Sequence, residues 1–149
     1  MKSVLDAINK RFGENSVMIL GEAEALKVDV ISTGSLAVNK ALGVGGIPKG
    51  RITEIAGLQS SGKTTIMIQT MVEAQRGGDK VAFVDVEHAF DPEYAESLGL
   101  DVGAVAFSQP ETAEEAMEII GMLVSSAEFG LIVLDSVGAL APRAELEGD

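Results

Sequence analysis

The spacing of apolar and polar residues changes character near residue 50. Before it, SVLDAINKRF (3–12) brings Val4, Leu5, Ile8 and Phe12 towards one helical face. Ser3 can cap the start of that helix and Gly13 can stop its end. SVMIL (16–20) is a short strand-like run, and DVISTGS (29–35) is another that ends in turn residues. SLAVNKALG predicts a short helix capped by Ser35 and closed by Gly43, and GVGGIPKG a loop. Residues 1–45 therefore predict a small α/β appendage, and 46–149 a main domain.

From Arg51 onward the pattern becomes regular. RITEIAG predicts a strand, KTTIMIQTMVEAQR a largely apolar helix stopped at Gly77 and Gly78, and KVAFVDV a strand. DPEYAESLG predicts a short helix with Asp91 as its cap and Pro92 in the first turn. VGAVAFS is a strand, and TAEEAMEIIGMLVSSAEFG is a helix opened by a Thr112/Glu115 capping box. LIVLDS is a last strand, apolar throughout. Strands that are apolar on both faces and alternate with helices predict a mostly parallel sheet covered on both sides. In such a doubly wound α/β domain, ligands bind at the carboxyl ends of the strands.

Composition narrows the picture. At 149 residues there is material for a single core, and with 4% aromatics that core must be aliphatic. The absence of cysteine excludes disulfides and thiolate metal sites, and fits a reducing compartment. The amino terminus has no continuous apolar stretch, so it predicts neither a signal peptide nor a membrane span. A cytoplasmic, soluble protein is expected. The net charge of −12 repels a phosphate backbone on average, so bulk electrostatics do not point to nucleic acid.

The chemistry concentrates at predicted strand ends. GLQSSGKT (57–64) fits Gly-x4-Gly-Lys-Ser/Thr, between a predicted strand and a predicted helix. Gly57 and Gly62 would permit the backbone angles that turn N–H groups inward around an anion. The start of the following helix adds positive potential. Lys63 would reach the β- and γ-phosphates of a nucleotide, and the Thr64 hydroxyl would coordinate Mg²⁺. Asp135, at the tip of a buried strand, can hold the same ion opposite Thr64. Of the two acids in FVDVEHAFD, Glu87 lies just past the strand and is the better candidate for a general base. Asp85 is expected to support the metal or a neighbouring backbone. His88, the single histidine, points to local hydrogen bonding rather than metal ligation. Tyr94, the single tyrosine, can stack on an adenine ring or lie partly buried on its own helix.

Taken together, these segments resemble the bacterial RecA recombinase family nearly end to end. ISTGSLAVNKALGVGGIPKGRITEIAG is similar to the family's lead-in to its phosphate loop. SSGKTT, DVEHAFDPEYA, FSQPETAEEAMEI and LIVLDSVGALAPRAELEG are similar to its successive core segments, in order. The resemblance implies a RecA-type P-loop ATPase and an ATP-driven DNA strand-exchange protein. Such a protein serves homologous recombination, DNA repair and the SOS response, and forms a filament on single-stranded DNA with ATP between subunits. By position it implies phosphate and Mg²⁺ binding across Gly57, Leu58, Gln59, Ser60, Ser61, Gly62, Lys63, Thr64 and Thr65. It implies a catalytic role for Glu87 beside Lys63, a metal-holding role for Asp135, and adenine contacts from Asp91 and Tyr94. The amino-terminal helix would dock on the adjacent subunit.

Two departures stand out. Leu58 and Gln59 occupy positions where the family commonly has Pro and Glu; neither side chain is needed for a backbone cradle. Asp149 falls about where the family's first DNA-binding loop begins, so both DNA loops, the glutamine that senses the γ-phosphate and the lysines reaching across from the next subunit lie beyond it. In the family another strand separates the phosphate-loop strand from the Asp135 strand. The expectation is therefore a fragment, a truncated reading frame or half of a split protein, with two apolar strand edges facing a gap. Two alternatives are a nucleotide-binding interaction module without hydrolysis or DNA contact, and a ring-forming ATPase sharing only the nucleotide core.

Overall fold

A computed structural model describes residues 2–14, 16–19 and 28–142 of the chain. Helix α1 (Lys2–Phe12) leads, and none of its residues is buried. Strand β1 (Val30–Ile31), helix α2 (Leu36–Ala41) and strand β2 (Ile47–Pro48) follow. Ser35 caps α2, its side chain accepting from the Val38 N–H. β1 and β2 pair antiparallel, Ile31 opposite Ile47. The expected GVGGIPKG loop thus contains a short strand that its Gly and Pro content had hidden. The expected SVMIL strand is not formed over residues 16–19, and Leu20 lies outside the described residues.

The larger unit contains α3 (Lys63–Arg76), β3 (Val81–Asp85), α4 (Pro92–Ser97), β4 (Val105–Ser108), α5 (Ala113–Ser126) and β5 (Leu131–Asp135). The three strands form a parallel sheet in the order β4-β3-β5. Register places Phe83 beside both Phe107 and Val133, and Asp85 beside Asp135. All five residues of β3 are buried, as a central strand covered on both faces requires. Val81, Phe83 and Val133 join Ile68, Met71 and Val72 of α3, with Ala95, Leu100 and Ile31, in one apolar cluster. Ala82 and Val84, which alternation turns to the other face, are also fully buried. The outer strands are covered less: β4 leaves Phe107 48% exposed.

Local chemistry sets the helix limits. Thr112 caps α5 by accepting from the Glu115 N–H at 3.2 Å. The return bond of the expected capping box shifts by one residue, Glu115 accepting from the Glu111 N–H instead. α5 stops at Ser126, where Ala127 turns left-handed at φ 53°, so the expected helix through residue 130 ends early. Asp91 caps α4 with Pro92 in its first turn, as expected.

The main correction concerns RITEIAG. Among the described residues, 51–57 pair with no strand, and every residue from 50 to 62 is exposed. A strand's hydrogen bonds come from its neighbours, and no described strand lies beside this segment. The free edge of β5 is likewise unpaired among the described residues. Of the two strand edges expected to face a gap, only that of β5 is a strand edge among the described residues, because 51–57 forms no strand.

Candidate functional site

The loop 57–62 leads directly into α3, whose first residue is Lys63. Its shape depends on two left-handed residues, Ser60 at φ 58° and Gly62 at φ 91°. Gly57 does not adopt a positive φ, contrary to expectation. A Cβ there would lie 2.9 Å from Ser61 Oγ, so that hydroxyl would have to turn away to admit a side chain. Ser60 does what Gly57 was expected to do, at a strained angle for a residue with a side chain. Sequence pattern missed this, because serine carries no marker for such an angle.

Residues Ser60 to Thr65 line a cavity of about 210 Å³ at the start of α3. Lys63 Nζ donates to Gly57 O at 3.1 Å and Leu58 O at 3.0 Å, so its charge sits inside the loop. With the helix dipole, that gives the loop a positive interior suited to phosphate oxygens. Leu58 is 85% exposed, so the side chain that departs from the family pattern faces outward.

Acidic residues converge on this loop from the strand tips. Burial pushes the Asp135 carboxyl above the usual carboxylate range, and the neighbouring Glu87 and Asp85 push it further. A hydrogen bond from Thr64 and the charge of Lys63 pull the other way. Thr64, Lys63 and Glu87 thus each lie close enough to Asp135 to affect its charge, although α3, the β3 turn and β5 supply them separately. An oxygen-rich pair such as Thr64 and Asp135 suits Mg²⁺, which prefers hard ligands.

Glu87 sits in the turn after β3, where it accepts from the Ser136 hydroxyl at 2.5 Å. The Val86 and Glu87 N–H groups both donate to Asp135 O. Asp85, 1% exposed, accepts from the N–H groups of Ala89 and Phe90 and from the Gln109 side chain. Of the two roles open to Asp85, its hydrogen bonds are those of backbone support. Ser136 and Gln109 were not singled out from sequence, since only the fold brings them beside the acids.

Asp91 uses its carboxylate to accept from the Tyr94 N–H at 3.0 Å. Tyr94 is 42% exposed, and its hydroxyl lies 3.1 Å from Thr65 Oγ1. The tyrosine is therefore tied to the helix that begins at loop 57–62. No group of acids or histidine that could bind a metal unaided occurs among the described residues. No described helix is long and apolar enough to cross a membrane.

The model of the RecA N-terminal domain matches residues 1–149. The chain belongs to the RecA family. It is 52% identical over 149 residues to Protein RecA of Mycoplasmopsis pulmonis, covering all of this chain and 44% of that protein. Protein RecA of Thermus aquaticus is also 52% identical over 149 residues, with the same two coverages. Protein RecA of Clavibacter michiganensis is 53% identical over 149 residues, 41% of its length. The chain thus spans less than half the length of the curated relatives it matches. Among solved structures, the RadB recombinase superposes with a TM-score of 0.63 at 32% identity, over 80% of this chain and 56% of that one. The α/β architecture is accordingly of RecA type, carrying the amino-terminal portion of a RecA protein.

Proposed function

We propose that this chain is the nucleotide-binding portion of an ATP-dependent DNA recombinase, and that loop 57–65 holds the triphosphate. The observation that carries the reading is the convergence of Lys63, Thr64, Glu87 and Asp135 at one end of the sheet. Loop N–H groups from Gly57 to Thr65 and the Lys63 charge would grip the phosphates. Thr64 and Asp135 would hold Mg²⁺, which when bound offsets phosphate charge. Glu87, fixed by Ser136, would accept the proton of the attacking water. Asp91 and Tyr94 would face the adenine.

At the scale of the assembled protein, the proposal includes a cytoplasmic location, self-association through residues 1–45, and a filament on single-stranded DNA. The family match and the likeness to a solved recombinase support recombination; the net charge of −12 argues that DNA contact needs a local basic surface.

The test is binding and hydrolysis of ATP with Mg²⁺ by the 149-residue chain, with and without single-stranded DNA. Lys63→Ala should lower affinity or turnover at least about 100-fold, because it removes the cation aimed at the phosphates. Equal affinity and rate in that variant would refute the site. Binding without turnover would favour an interaction module instead.

A further inference from the structure

The turn that displays Glu87 is tied down from both ends. On one side the Val86 and Glu87 N–H groups donate to Asp135 O at 2.8 and 3.3 Å. On the other, the Ala89 and Phe90 N–H groups donate to the two Asp85 carboxylate oxygens at 3.4 and 3.2 Å. Asp85 is almost fully enclosed, so its charge relies on protein donors in place of water. The shortest of those bonds comes from Gln109 Nε2, 2.9 Å from Oδ2. Gln109 stands just past the end of β4, on the far side of the central strand from β5.

We infer that Gln109 is a positioning residue for the proposed hydrolysis: it anchors the Asp85 carboxylate, and through it the turn that carries Glu87. The inference rests on reading Glu87 as the general base. Oδ2 is shared between the Phe90 N–H and the Gln109 amide. Removing the amide leaves a buried carboxylate one donor short, and it regains one by rotating or admitting water. Either change loosens the grip on Ala89 and Phe90, and the neighbouring Glu87 loses its fixed direction. Small misplacements of a reacting group are costly to rate. Gln109 makes no described hydrogen bond to loop 57–65, so nucleotide affinity should not follow. As an exposed side chain, it can be replaced without opening the core.

The experiment compares the 149-residue chain with Gln109→Glu, Gln109→Ala and Gln109→Lys. Three quantities are read: ATP turnover, KM, and amide exchange at Ala89 and Phe90. Gln109→Glu keeps the shape but sets an acceptor against an acceptor, so its kcat should fall most, at least about tenfold. Gln109→Ala should fall between. Gln109→Lys retains a donor and should stay near the parent. KM should stay within about twofold throughout, and exchange at Ala89 and Phe90 should speed up in the same order. A merely structural role would not rank the variants by donor ability. Equal rates and exchange in all four chains overturn the inference, as does a loss that follows KM or melting temperature. If the parent turns over ATP and the variants match it, the inference fails alone; if the parent neither binds nor hydrolyses ATP, the functional reading fails and takes the inference with it.

Discussion

Individual residues near the loop carry opposed demands. Asp135 is next to Asp85 in register and beside Glu87, so three acids meet where water is partly excluded. Its folded carboxyl holds a proton more tightly than an unfolded one. The stability this contributes is full below the unfolded carboxylate range and is lost as pH rises through the raised folded value. At neutral pH the charged Asp135 therefore costs stability. Asp135→Asn should raise the thermal midpoint of the nucleotide-free protein at pH 7, by no more than about 4 °C given its partial exposure. The gain should vanish below the carboxylate range, and the magnesium dependence of nucleotide binding should weaken; a midpoint that falls at pH 7 would contradict the assignment. Glu87→Gln keeps size and hydrogen bonding but removes the proposed base. Nucleotide affinity should hold while turnover drops about 10²- to 10⁴-fold in steady-state assays. Residue identity at these positions was legible from motif spacing. The partners were not: Ser136 and Gln109 lie 49 and 24 positions from the acids they touch.

At the scale of elements, legibility followed the source of the hydrogen bonds. α3, α4 and α5 draw theirs from within their own segments, and caps at Asp91 and Thr112 announce the starts of two of them. The end of α5 was missed because the residue that stops it, Ala127 at φ 53°, is not the glycine that usually marks such a site. Ala127→Gly should therefore relieve backbone strain and stabilise the fold by about 0.5–1 kcal/mol in urea unfolding. No change, or a loss, would mean that the glycine's extra unfolded freedom outweighs the relief. Strands behaved differently. RITEIAG has a strand's pattern yet no partner among the described residues, whereas Ile47–Pro48 became a strand only because Val30–Ile31 lay opposite.

For the molecule as a whole, the consequence is exposed apolar surface around a three-stranded sheet. Ile52 is 102% and Ile55 42% exposed, and α1 buries none of its residues. Unpaired edges of this kind invite association with other chains. Sedimentation should show oligomers that grow with concentration, and Ile52→Lys should reduce them while leaving nucleotide affinity intact. A cooperative, strictly monomeric parent chain would argue against that view.

Sequence alone determined which segments form the α-helices and that the strands of the larger sheet run parallel, because caps and apolar periodicity are local. Only the tertiary structure decided that the β4-β3-β5 sheet leaves 51–57 unpaired, that Ser60 rather than Gly57 takes the left-handed angle, and that Asp85 holds the Glu87 turn. Each of those depends on atoms brought together from distant parts of the chain, and no local pattern encodes which neighbour a group will meet.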